Sequence, residues 1–110
     1  MELKHPVAVS PDQWRVLLAI LAECLPGVRV WAFGSRVNGT AKRSSDLDLV
    51  AFAEATELPQ VGNAREALEE SSLPFRVDLH VWSELPPTFQ ENIRERYEDV
   101  QPGLEREAGT

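Results

Sequence analysis

The residues whose types and spacing can do chemistry in this chain are Gly34-Ser35, Asp46-Leu47-Asp48 and Asp78. Gly34-Ser35 follows a short β-branched and aromatic run and opens a polar turn. There, backbone N–H groups and a hydroxyl face outward, and an anion such as a phosphate is the natural guest. Asp46 and Asp48 stand two apart at the start of a strand, so both carboxylates point to one face with Cα atoms roughly 6–7 Å apart. Two carboxylates on one spot repel unless a cation sits between them. Hard oxygen donors of this kind suit Mg²⁺, which keeps waters and completes its shell from substrate phosphates. By itself a strand followed by Gly-Ser is an ordinary turn, and Asp-x-Asp is an ordinary solvated strand edge. Here the acids flank Leu47, Leu49 and the apolar run Val50-Ala51-Phe52-Ala53, which heads into a core.

Asp78 strengthens the case, because it interrupts another apolar, β-branched run, where a charge is costly without a partner. If the two strands pair, Asp78 lies beside Asp48 on the same face. Three carboxylates on neighbouring strands can hold two divalent ions, one for an attacking hydroxyl and one for phosphates and a departing pyrophosphate. Asp78, nearest the attacking group, can take its proton.

The elements that must position these groups are legible in outline. Ser10-Pro11-Asp12-Gln13 is a capping-box start with proline at the first helical position. Trp14, Leu17, Leu18, Leu21 and Leu25 follow at helical spacing, and Leu25-Pro26-Gly27 stops the helix. Strands are expected over Val28–Phe33, Leu47–Ala53 and Phe75–Trp82, and helices over Val61–Ser72 and Ser83–Asp99. Ser35–Ser45 is expected as a loop, or as a short helix followed by a loop. The last helix is expected to carry Phe89, Ile93 and Tyr97 on one face. The fold class is α/β (α+β), a small mixed sheet of about three strands with helices packed on it. The domain is expected over residues 1–100, with a flexible tail over 101–110.

Composition narrows the function classes. In 110 residues, eleven Lys and Arg against eighteen Asp and Glu give a net charge of −7. That excludes a protein whose affinity comes from neutralising many phosphates, so no direct nucleic-acid partner is expected, while one metal-bound nucleotide remains compatible. The lone cysteine, Cys24, leaves no intramolecular disulfide and fits a reducing compartment. Neither a membrane-length apolar run nor a signal-type N-terminus occurs, so a cytoplasmic location is expected.

Gly-Ser, ten intervening residues, Asp-x-Asp and a later strand Asp together resemble the signature of the polymerase-β-like nucleotidyltransferase superfamily. From about residue 10 to residue 100 the chain is similar to its smallest branch, the minimal nucleotidyltransferases that accompany HEPN-domain proteins. The resemblance implies a nucleotidyltransferase fold and transfer of AMP from ATP, with Mg²⁺ as two ions. It also implies an antitoxin role, with a tyrosine hydroxyl of a cognate HEPN ribonuclease toxin as acceptor and a hetero-oligomer with that toxin. Carried over residue by residue, Gly34 and Ser35 bind triphosphate, and Asp46, Asp48 and Asp78 are catalytic and bind metal. Many relatives carry an arginine where this chain has Asn38, which leaves neutralisation of the triphosphate to Arg36, Lys42 or Arg43. Two alternatives stand beside this one: a binding module that neutralises the toxin by contact alone, and an aminoglycoside adenylyltransferase. Among other residues, His80 is expected as a hydrogen-bond partner of its neighbouring acid, Trp31 and Trp82 as sheet packing, and Arg94 and Arg96 on a solvated helix face.

Overall fold

In the computed structural model, residues 7–104 are described; the N-terminal segment 1–6 and residues 105–110 lie outside them. Helix α1, Pro11–Cys24, starts where expected. Ser10 Oγ accepts from Gln13 N, and Gln13 Oε1 accepts from Ser10 N, so two otherwise unpaired amide donors are satisfied. Leu17, Leu21 and Leu25 are buried, with Trp14 and Leu18 packed at the margin. After α1 come β1 (Val30–Phe33), α2 (Ser35–Asn38), β2 (Leu47–Ala51), α3 (Leu58–Glu69), β3 (Val77–Val81), α4 (Pro87–Glu95) and β4 (Glu98–Gln101).

The sheet order is β3-β2-β1-β4. β1 runs antiparallel to both β2 and β4, while β2 and β3 run parallel through the crossover helix α3. Strand alternation sends two side-chain sets to opposite faces. Val30, Ala32, Leu47, Leu49, Ala51, Leu79 and Val81 face α1 and α3 in the larger core. Trp31, Phe33, Val50, Phe52 and Trp82 face α4, where Ile93 and Phe89 close a second, aromatic core. Asp48 and Asp78 alternate with the first set and therefore share the face of the second.

Two expectations at the C-terminal end are corrected. The last helix does not run from Ser83 to Asp99; a 3₁₀ turn covers Trp82–Glu84, α4 ends at Glu95, and a fourth strand follows. Arg96, at φ −157°, has already left helical backbone. Tyr97, at helical spacing from Ile93, instead lays its ring on Trp31 at 3.7 Å and 15°. Four residues with one apolar member, Val100, carry too little alternation to announce a strand; the open edge of β1 recruits them, with Ala32 opposite Glu98. Gln101, the first residue of the expected tail, lies in β4 and donates from Nε2 to the carbonyls of Leu25 and Val28, and residues 105–110 of that tail lie outside the described residues. Among the described residues no helix is long and apolar enough to cross a membrane.

Candidate active site

The site is built where three strands bring their ends to one place. β1 finishes at Phe33, opposite Asp48 in the antiparallel register, and Asp48 lies opposite Asp78 in the parallel register. The two carboxylates are thus side by side on the α4 face, as the sequence leads one to expect. Asp46 precedes β2 and is exposed, whereas Asp48 and Asp78 are half-buried.

Gly34 makes the tight approach possible. Its backbone sits at φ 87° and ψ −157°, a region essentially reserved for glycine. A Cβ there would lie 2.6 Å from Asp48 Oδ2, so the carboxylate rests directly against the glycine backbone. The Gly34 carbonyl accepts from the amides of Val37 and Asn38 and starts the single turn of α2, whose first residue is Ser35.

Electrostatics at Asp48 follow from this packing. Burial raises its carboxyl above the ordinary range, and the charges of Asp78 and Asp46 raise it further, with His80 opposing. Asp78 is held at Oδ1 by Arg76 Nε at 2.9 Å. That arginine is three-quarters exposed, so the pair is weak.

The donor set therefore fits a divalent cation in chemistry: apposed hard carboxylates, mutually repelling, backed by a glycine. No group of three or more acidic, histidine or cysteine side chains gathers closely enough to form a ready metal cage among the described residues. Two apposed carboxylates with a third at the strand entrance match a Mg²⁺ that draws much of its shell from water and substrate phosphate.

Arg36 requires a correction. It is 6% exposed, and its guanidinium donates to four main-chain carbonyls: Nε to Ser45, Nη1 to Ala8, and Nη2 to Lys42 and Arg43. Its head also lies over the Phe75 ring at 4.1 Å. A planar fork with five donors suits this task, and little of it remains for a phosphate. Arg36 is a positioning residue that ties the loop before Asp46 to the segment before α1. Lys42 and Arg43 are exposed, with their carbonyls turned toward Arg36. Asn38 accepts from Thr40 N and Oγ1.

His80 lies on the face of Asp78 among aromatic rings, 5.7 Å from Phe33 and 6.3 Å from Phe89, and its influence falls on Asp48. Trp82 packs the sheet, stacked on Phe52 at 4.8 Å. Cys24 packs against the larger core, where burial pushes its thiol up. Beside Gly34 a cavity of about 220 Å³ is floored by Phe33, Phe89 and Ile93 and rimmed by Gly34, Asn38 and Arg96. Nothing in the spacing of Phe89 or Arg96 announces a place beside Gly34; only the folding of α4 over the sheet brings them there.

The sequence profile of the family described as "Nucleotidyltransferase domain" matches residues 15–100. The chain is 39% identical over 94 residues to "Probable protein adenylyltransferase MntA" of Haemophilus influenzae (strain ATCC 51907 / DSM 11121 / KW20 / Rd), covering 84% of this chain and 82% of that protein. Its fold resembles a crystal structure of a toxin-antitoxin with AMP-PNP, at TM-score 0.58 and 17% identity, over 86% of this chain and 76% of that one. It also resembles a crystal structure of the toxin-antitoxin MntA-HepT, at TM-score 0.53 and 12% identity, over 91% and 78%. At such identities these two likenesses speak for the fold alone.

Proposed function

The chain belongs to the nucleotidyltransferase domain family, and from that membership we propose that it is a protein adenylyltransferase that moves AMP from ATP onto a hydroxyl of a cognate toxin. The acceptor in this proposal is a tyrosine of a HEPN ribonuclease, which the added AMP inactivates, so that the chain acts as a cytoplasmic antitoxin in a hetero-oligomer with its target. The observation that carries the proposal is the lateral pairing of Asp48 with Asp78 directly beside Gly34. The 39% identity to a protein adenylyltransferase supports a protein as acceptor.

In the transfer, the acceptor oxygen forms a bond to the α-phosphorus and the bond from that phosphorus to the β-phosphate bridging oxygen breaks, releasing pyrophosphate. The acceptor proton passes to the Asp78 carboxylate, which stands at the outer strand of the sheet where a partner can reach it. Gly34 and Ser35 bind the triphosphate, and Asp46, Asp48 and Asp78 hold Mg²⁺. When bound, Mg²⁺ neutralises developing negative charge on the phosphates. Gly34 keeps the Asp48 carboxylate against the backbone, and Arg36 fixes the loop that delivers Asp46.

The test is incubation of the full chain with ATP, Mg²⁺ and the proposed HEPN partner, followed by intact-mass measurement of that protein. Increments of one or more AMP units are expected, lost in the Asp46→Ala/Asp48→Ala variant. No increment with the wild type, or an undiminished one with the variant, overturns the proposal.

A further inference from the structure

A Mg²⁺-bound nucleoside triphosphate entering a protein of net charge −7 still carries negative charge on its outer phosphates, so local positive charge on the protein favours its binding. Of the cations nearest in sequence, Arg36 is engaged by four carbonyls, and Lys42 and Arg43 sit on the exposed loop that Arg36 holds. A different cation does reach Gly34. β4 pairs with β1, the strand that ends at Gly34, with Ala32 opposite Glu98. Arg96 lies two residues before that paired Glu98. Arg96 and Gly34 accordingly line the same 220 Å³ cavity, together with the amide side chains of Asn38 and Asn92.

The backbone carrying Arg96 is fixed while its side chain is available. Arg96 N donates to Ile93 O at 3.0 Å, and Ile93 is 2% exposed in the aromatic core. The next residue, Tyr97, is anchored by its stack on Trp31. The guanidinium itself makes no ion pair among the described residues and is solvent-exposed. A rigidly based, uncommitted guanidinium flanked by two primary amides is a set of donors suited to phosphate oxygens.

Resting on the nucleotidyltransferase function proposed above, we propose that Arg96 binds the outer phosphates of the nucleoside triphosphate, with Asn38 and Asn92 as neutral donors on the same rim. The junction of α4 and β4 thus adds positive charge to the rim beside Gly34. Arg96 is thereby a substrate-binding residue, and α4 is part of the nucleotide site as well as a lid on the aromatic core.

Calorimetric titration of the full chain with ATP and with AMP, both in Mg²⁺, tests this. Arg96→Ala is expected to weaken ATP by about tenfold to a hundredfold, the worth of one or two charge-assisted bonds, and to leave AMP and the melting temperature unchanged. Arg96→Lys is expected to keep part of the ATP affinity. Asn38→Arg placed in the Arg96→Ala background is expected to restore it, because both positions open on one cavity. Undiminished ATP affinity in Arg96→Ala, or equal losses for ATP and AMP, overturns the role of Arg96 while leaving the adenylyltransferase proposal intact. A wild-type chain that binds no ATP overturns both.

Discussion

Gly34 and Gly39 offer a matched pair of perturbations, since both have φ near +87° and only one has a neighbour. Gly39 sits in the left-handed helical region at φ 88° and ψ 7°, with nothing within 4 Å of an added Cβ. Gly39→Ala should therefore cost backbone strain alone, about 1–2 kcal/mol. Gly34→Ala carries the strain of a region essentially closed to other residues, about 1–3 kcal/mol. In addition, its Cβ meets Asp48 Oδ2 at 2.6 Å, closer than such contacts occur. If the carboxylate stays, the overpacking adds a further ~1–3 kcal/mol; if it swings aside, the cost appears instead as lost Mg²⁺·ATP binding. Each kcal/mol lowers the melting temperature of a domain this size by about 4–8 °C. Thermal melts and ATP titrations of both variants, and of Gly34→Ala in an Asp48→Ala background, separate the terms. In that background the contact share should vanish and only strain remain, a coupling a double-mutant cycle reads directly. Equal melting temperatures and equal ATP affinities for Gly34→Ala and Gly39→Ala, with no coupling to Asp48, would refute the claim that Gly34 exists to seat this carboxylate.

Three other outcomes follow from the same geometry. Asp48→Asn should raise the metal-free melting temperature near neutral pH, because a carboxyl raised by burial and by Asp78 and Asp46 favours the folded state only when protonated. Wild-type stability from this group is full below the ordinary carboxylate pKa and is lost as pH rises through the raised folded value, so the advantage of Asp48→Asn should shrink on acidification; a variant less stable than wild type at pH 7 would contradict this. Arg36→Met should destabilise by about 2–4 kcal/mol, since four main-chain carbonyls lose a charged donor; Arg36→Lys should recover little because an ammonium cannot fork among them, and denaturant midpoints decide. Tyr97→Ala should cost about 0.5–1.5 kcal/mol beyond its buried area through loss of the Trp31 stack and should alter the near-ultraviolet circular dichroism of that tryptophan; an unchanged spectrum would show that the stack is not populated in solution.

How much of this was legible beforehand differs by element. The cap at Ser10, the stripe through Leu17 and Leu21, and the alternation of Val77, Leu79 and Val81 are short-range patterns, and local spacing suffices to read them. The pairing of Asp48 with Asp78 could be stated only as a condition, because 29 residues separate them in sequence and register is a tertiary property. β4 is not legible in the sequence because strand propensity in Glu98-Asp99-Val100-Gln101 is weak and its stability comes from the waiting edge of β1.

The chemistry on offer was thus determined by residue type alone: carboxylates at 46, 48 and 78, a glycine at 34 and a hydroxyl at 35. Which cation serves which partner was decided only by the tertiary structure. The family resemblance leaves Arg36 among the candidates for neutralising the triphosphate, yet Arg36 turns inward, where burial and four carbonyls compete for its donors. Arg96, 61 residues after Ser35 and without a motif of its own, arrives beside Gly34 because β4 folds back along β1. Spacing along a chain constrains side chains on one element; which donors from separate elements remain uncommitted depends on how the whole chain packs.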